Sequence, residues 1–225
     1  MNIEIIKDLL DGFLVTIAIF VITLLLAIPL GMLITMASKS KIKTIKYFAR
    51  GLIWVIRGTP LMLQVLFVSF IPSIFNIFNK DVASFLNVSI NTLMFIFVCV
   101  AFVINYACYF SEIFRGAIES IPKGQYEAGK VLGMTKKEIF RKVILFQVVK
   151  RTVTPMSNEI ITLVKDTALA QILGVIDLLS ASKLAVNNFG VLSPFIYATI
   201  FYLTFSALLT LLFRYIEKKF SFYKE

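Results

Sequence analysis

The sequence predicts an all-α integral membrane protein with five transmembrane helices, its N-terminus outside and its C-terminus cytoplasmic. Three observations carry that prediction. The 225 residues are 59% hydrophobic with a mean hydropathy of +0.88, too apolar for a water-soluble globule of this size. Several runs without a charge reach the length of a bilayer span. The 23 Lys and Arg residues are segregated into alternate connecting segments, the pattern that sets orientation in a membrane.

Residues 1–11 form an acidic-leaning amphipathic start with Glu4, Lys7, Asp8 and Asp11. Gly12–Met36 follows as an uncharged run of 25 residues, about 37 Å as a helix, enough to cross a hydrocarbon core of about 30 Å with tilt. Pro29 is tolerated there if neighbouring helices satisfy the freed carbonyl. Ser38–Arg50 then holds Lys39, Lys41, Lys43, Lys46 and Arg50 with no acid, which makes it a cytoplasmic loop. Gly51–Phe75 returns as the second span, interrupted by Arg57, and Asn76–Asn87 is the outer connection. Val88–Phe110 is the third span, again without a charge.

Residues 111–151 form the long cytoplasmic segment, with nine of the 23 basic residues. The fourth span, 152–176, is interrupted by Glu159, Lys165 and Asp166, and an outer loop surrounds Asp177–Asn188. The fifth, 191–213, is uncharged, and the basic tail after it lies inside. This arrangement puts 18 Lys and Arg inside and three outside. One membrane domain, 1–225, accounts for the chain, a multi-pass protein of the cell membrane in contact with the lipid bilayer.

Composition also excludes function classes. The net charge of +10 is segregated rather than interleaved with exposed aromatics, so it reports orientation and not nucleic-acid binding. Histidine is absent, which removes the commonest metal ligand and general base and any Ser/His/Asp or Cys/His set. Cys99 and Cys108 lie in one apolar run and read as packing residues. No Gly-x-x-x-x-Gly-Lys-Ser/Thr phosphate cradle occurs, so the chain is not expected to be an enzyme.

The charged segment has its own predicted shape. Pro122 and Gly124 interrupt whatever continues from the third span, Tyr126–Leu132 can form about two turns, and Gly133 can take a left-handed termination. Thr135 and Glu138 then have capping-box spacing, flanked by Met134 and Ile139 as a hydrophobic staple. These features describe a bent element of two helices; alone they fit an interfacial linker as well as a docking element.

Glu127, Ala128, Gly129 and Gly133, followed by Val143, Ile144 and Leu145, resemble the cytoplasmic EAA loop of ABC importer permeases. Gly129 replaces a usual second Ala, and Phe146 stands where a Pro often follows the Leu. The resemblance extends over nearly the whole chain. Arg57-Gly58-Thr59-Pro60-Leu61 with Gln64, Glu112-Ile113-Phe114-Arg115-Gly116, Asn158-Glu159 and Lys165-Asp166-Thr167 look like permeases of polar amino acid uptake systems.

That resemblance implies a type I ABC importer fold and a coupling role for Glu127, Ala128, Gly129, Gly133, Thr135 and Glu138. It implies two ABC ATPase subunits, which carry ATP and Mg while this chain binds no cofactor. It also implies a second permease chain, identical or related, and an extracytoplasmic amino-acid-binding protein. Other cargoes within the same machinery (methionine, an osmolyte) and an ATP-independent channel or scaffold are the alternatives.

Candidate pathway residues follow from charges inside spans. Arg57 costs about 2.5–3.5 kcal/mol at a helix centre on insertion scales, so it faces protein or a wet cavity, or snorkels to the inner headgroups. Glu159 lies about two turns into the fourth span, where a carboxylate must pair, protonate or bind a cation. Thr162 and Asp166 share its helix face at i+3 and i+7, with Asn158 at the border. That face offers acceptors to an ammonium group; the alternative is a structural pair of Glu159 with Arg57, or a helix cap. Gln64 is a further polar candidate, and like Thr59 it is neutral, with a simple bond to a neighbouring helix as the alternative. Lys165 and Asp166 are read as a salt bridge at the outer end, and Glu112 and Arg115 as an i, i+3 ion pair.

Overall fold

The computed structural model describes residues 3–74 and 89–220, and every element in them is helical. In chain order these are α1 (Ile3–Ser38), α2 (Lys43–Arg57), α3 (Leu61–Ile74), α4 (Ile90–Glu119), α5 (Lys123–Val131) and a single turn α6 (Lys136–Glu138). A π-helical stretch (Ile139–Ile144) leads into α7 (Leu145–Asp166), a 3₁₀ turn (Thr167–Leu173), α8 (Leu178–Phe189) and α9 (Ser193–Phe220). The expected outer connection Asn76–Asn87 and the end of the tail, from Ser221, lie outside the described residues.

The core is organised on α4. Phe102, Tyr106 and Phe110, one turn apart, are three of its largest fully buried side chains. Their cluster takes in Ile19, Phe20 and Ala27 of α1, Val65 of α3, and Met156, Ile160, Leu163 and Val164 of α7. Close approach between α1 and α4 depends on Gly31, where a Cβ would lie 3.0 Å from both the Ala107 carbonyl oxygen and the Phe110 Cβ. One turn on, the Thr35 hydroxyl donates to the Ser111 carbonyl at 3.0 Å. Interhelical side-chain hydrogen bonds in a membrane are worth about 0.6 kcal/mol on average.

Three helices are long and apolar enough to cross a membrane alone: Ile3–Ser38, Ile90–Glu119 and Ser193–Phe220. Two bent pairs reach that standard only together, so the described helices provide three to five spans. One pair is α2 with α3, so a first correction is that the expected second span, Gly51–Phe75, does not begin as one continuous helix. The chain turns by 112° between them. Pro60 has no N–H to continue a helix and biases Thr59 away from helical geometry, so the turn falls at Gly58–Pro60.

The second correction concerns the segment around Asp177–Asn188, expected as an outer loop. It is helix α8, packed through Leu178, Ala181 and Ala185 against Ile5 and Leu9 of α1. Asp177 caps it, accepting from the backbone N–H of Leu179 at 3.2 Å and Ser180 at 3.0 Å, and Gly190 ends it at φ +67°. The charged start of the chain is part of the same packing. Helix α1 runs from Ile3, and Gly12 sits where a Cβ would lie 2.7 Å from Ala181 Cβ.

The entry to the fourth span also differs from expectation. No break occurs near Thr152: the helix that starts at Lys136 continues through the π-helical stretch to Leu173, with Pro155 inside it. With Phe146 in place of a Pro, nothing in the sequence forces a stop there.

Candidate functional site

The charged segment folds as two short limbs joined by a tight turn. Its first helix starts at Lys123, three residues earlier than expected, because Pro122 with ψ 139° serves as the N-cap and Gly124 is accommodated inside. The Met134 N–H donates to the Gly129 carbonyl at 3.0 Å and the Gly133 N–H to Lys130 at 2.9 Å, with Gly133 at φ +71°. This is a Schellman ending, and it needs a residue free to adopt a left-handed conformation.

Two residues later the next helix starts with both halves of a capping box. The Thr135 hydroxyl accepts from the Glu138 N–H at 3.3 Å, and the Glu138 carboxylate accepts from the Thr135 N–H at 3.0 Å. The Thr135 N–H and, at 2.9 Å, the Thr135 hydroxyl donate to the Glu138 carboxylate and with Lys142 at 3.3 Å hold it below the usual carboxylate range. Met134 and Ile139 belong to one apolar cluster with Ala117, Ile121, Ile144 and Val148, which fastens the bent element to the C-terminal end of α4.

The small residues divide by role. Gly129 is buried, and a Cβ there would lie 2.6 Å from Ile139 Cγ1, so its close approach is to this chain's own second limb. Gly133 is required by backbone conformation, and Ala128 and Glu127 are exposed. Beside them Val131 and Leu132 are 87% and 78% exposed, an apolar tip on a water-facing turn. Sequence reasoning had passed over that pair, although two apolar residues closing a charged helix were the available signal.

A second group of polar side chains runs along one face of α4. Asn105, Tyr109 and Glu112 stand at i, i+4 and i+7, with Tyr106 beside them. Gln64 fastens the α2/α3 bend to this row. Its amide nitrogen donates to the Ile56 carbonyl at 2.7 Å and the Thr59 hydroxyl at 2.8 Å, and its oxygen accepts from Asn105 at 2.9 Å. The Thr59 hydroxyl in turn donates to the Val55 carbonyl at 2.9 Å, so the Val55 and Ile56 carbonyls of α2 are satisfied within the bend.

Arg57 does not pair with Glu159. Its guanidinium lies 3.6 Å from Glu112 and 5.0 Å from the centre of the Tyr109 ring. Glu112 is bonded more tightly by Arg115, at 2.9 and 2.5 Å, and Arg115 reaches Glu119 at 2.8 Å. The expected i, i+3 pair is thus part of a larger set. Arg50, Arg57, Arg115, Glu112, Trp54 and Tyr109 line a cavity of about 530 Å³ with an excess of positive charge.

Asp166 accepts from the Tyr106 hydroxyl at 2.7 Å, and among the described residues it forms no salt bridge with Lys165. Glu159 is half-buried, with Arg57 and Asp166 as its electrostatic neighbours, and makes no hydrogen bond or ion pair among the described residues. Asn158 and Thr162 are exposed on the same helix. Asn105, Tyr106 and Tyr109 went unmarked in the sequence because each sits in an uncharged span. For Asn105 and Tyr109 the i, i+4, i+7 spacing that ends on Glu112 was the signal that could have found them.

The arrangement provides carboxylates, amide and hydroxyl groups and arginines along facing helices, suited to passing a polar solute. Among the described residues no three His, Cys, Asp or Glu side chains are placed to share a metal ion.

Comparison with known proteins gives a consistent picture. The family described as binding-protein-dependent transport system inner membrane component matches residues 27–222. The glutamine transport system permease protein GlnP of Escherichia coli strain K12 is 32% identical over 213 residues, covering 94% of this chain and 92% of that one. The L-cystine transport system permease protein TcyB of Bacillus subtilis is 30% identical over 210 residues, covering 92% and 84%. A crystal structure of an amino acid ABC transporter with histidines superposes with a TM-score of 0.80 at 26% identity, covering 97% of this chain and all of that one.

Proposed function

The chain belongs to the family of binding-protein-dependent transport system inner membrane components, and on that premise we propose that it is the permease subunit of an importer for polar amino acids. As a member of that family it is a membrane-embedded transport subunit and not an enzyme; ATP is hydrolysed on a separate subunit. The chain crosses the membrane five times, with the N-terminus outside and the C-terminus cytoplasmic, each bent pair contributing one crossing. Two ATPase subunits, a second permease chain, identical or related, and an extracytoplasmic binding protein complete the machine.

The observation that carries the coupling role is the rigid turn from Lys123 to Glu138. Its Schellman ending and capping box fix its shape, and Glu127, Ala128, Val131 and Leu132 stand on its outside. A bent element with an apolar tip fits a groove on an ATPase and can pass on that subunit's closure. Because the helix beginning at Lys136 continues unbroken to Leu173, displacement at the turn reaches Glu159 and Asp166 through one rod. The ATPase supplies the bias between inward and outward states, and substrate shifts them only by its differential affinity.

Glu159, Asn158, Thr162 and Asp166, with Gln64 and Arg57 across the bundle, are assigned to the pathway. Glu159 is half-buried, and Asn158 and Thr162 turn an exposed polar face outward, the side on which a second permease would enclose a path. The two carboxylates suit an α-ammonium group and lean toward a cationic side chain.

The deciding experiment is ATP-driven uptake by the reconstituted complex. Glu127→Lys and Gly133→Val are expected to abolish coupling while membrane insertion is retained; uptake that continues unaltered would overturn the coupling role. Glu159→Gln is expected to weaken substrate affinity or rate, and unchanged values for both remove Glu159 from the path. ATPase stimulation across amino acids of different class identifies the cargo.

A further inference from the structure

We propose that α2 is an interfacial helix that binds anionic phospholipid in the cytoplasmic leaflet, its lysines on lipid phosphates and its exposed apolar stripe in the acyl region. The inference is independent of what the protein transports. Helix α2 has 15 residues, about 22 Å, which is short of the roughly 30 Å hydrocarbon core. It meets α3 at 112°, and α3 enters the apolar body through Val65, which is fully buried. The axis of α2 therefore runs across the spans, along the surface of the bilayer.

Its faces fit that position. Ala49 and Ile53 are buried against the protein. Lys43, Lys46, Arg50 and Arg57 follow one another at i, i+3, i+7 and i+14, on one side, with Lys41 just before them. On the other side Phe48 and Val55, seven residues apart, and Ile45 are 74%, 49% and 44% exposed. Between the two stripes lie Tyr47 and Trp54, 65% and 79% exposed and also seven residues apart. Aromatic rings between an apolar stripe and a row of cations are the pattern of helices lying at headgroup level.

Charge selects the occupant. From Ser38 to Arg57 there is no Asp or Glu. Lys39 is held by Glu119 at 3.9 Å and Arg57 by Glu112, whereas Lys41, Lys43 and Lys46 enter no salt bridge among the described residues. A second copy seated through this helix would bring two rows of cations together with no carboxylate from either helix between them. An anionic leaflet supplies the missing charge, and each lysine near such a surface raises partitioning on the order of fivefold. The position has a consequence for the polar row, because Arg57 at the end of α2 is the residue that touches Tyr109 and Glu112.

Trp54 is the only tryptophan in the chain, so its fluorescence reports on this helix alone. The full-length chain is reconstituted in phosphatidylcholine vesicles containing equal mole fractions of brominated phosphatidylglycerol or brominated phosphatidylcholine. Quenching is expected to be stronger for bromines near the headgroup end of the chain than for deep ones, and stronger from phosphatidylglycerol than from phosphatidylcholine. The combined variant Lys41→Gln, Lys43→Gln, Lys46→Gln is expected to reduce that preference at least fivefold. Absence of quenching by any brominated lipid would show that protein covers α2. Equal quenching by the two lipids in the wild-type chain, which needs no variant, would also overturn the proposal, as would a preference that survives the three substitutions.

Discussion

Gly129 and Ile139 stand so close that a Cβ on Gly129 would lie 2.6 Å from Ile139 Cγ1. The contact joins the two limbs of the Lys123–Glu138 turn. Ile139 is 2% exposed and branched at Cβ, so it has little freedom to move aside.

Substitution at this contact is expected to be costly and repairable. Gly129→Val should destabilise the turn by about 1–3 kcal/mol through overpacking. Combining it with Ile139→Ala should recover part of the loss. Thermal unfolding of the purified chain measures both, and a strictly additive double variant would show that the two residues are not in the tight contact described.

Gly133 is held by its backbone, not by its neighbours: no atom lies within 4 Å of where its Cβ would be, yet its φ is +71°. Gly133→Ala should cost about 1–2 kcal/mol, and Gly133→Asn less, because Asn tolerates the left-handed region. The ranking Gly, Asn, Ala in melting temperature tests the Schellman geometry apart from any effect on coupling.

The pH dependence of the turn follows from Glu138. Its carboxyl is held below the ordinary value first by the Thr135 backbone N–H, then by the Thr135 side chain and Lys142. A depressed native pKa means that its stabilisation is complete above the unfolded value of about 4.3 and is lost as pH falls through the native one. The Thr135 amide resonance should titrate with a midpoint below that value in the wild-type chain. In Glu138→Gln the titration should vanish.

Gln64 and Asn105 link the α2/α3 bend to α4 at 2.9 Å. Gln64→Leu leaves the amide of Asn105, itself 5% exposed, without its acceptor, at an expected cost of about 1–3 kcal/mol. Asn105→Leu made together with it should cost less than the sum of the two single changes. Thermal stability of the four chains provides the double-mutant cycle.

Much of this protein was legible from composition and short spacings. Gly133, Thr135 and Glu138 act within a few residues of themselves, so their left-handed turn and capping box could be read from local chemistry. Helix α8 was legible in principle, with Asp177 before it and Gly190 after it, but its polar residues suggested a loop. Its burial against Ile5 and Leu9 depends on a segment more than 160 residues distant, which no local rule contains.

What the sequence by itself determined is the helical membrane class, the segregation of cations and the shape of the Lys123–Glu138 turn. These depend on quantities that add along the chain or act within one turn: apolar content, charge and capping. Only the tertiary structure decided that Arg57 meets Glu112 instead of Glu159, that Asp166 meets Tyr106 instead of Lys165, and that Gly129 makes room for Ile139. Each depends on which helices become neighbours and at what rotation. The 112° turn at Gly58–Pro60 and the packing on α4 set those arrangements jointly.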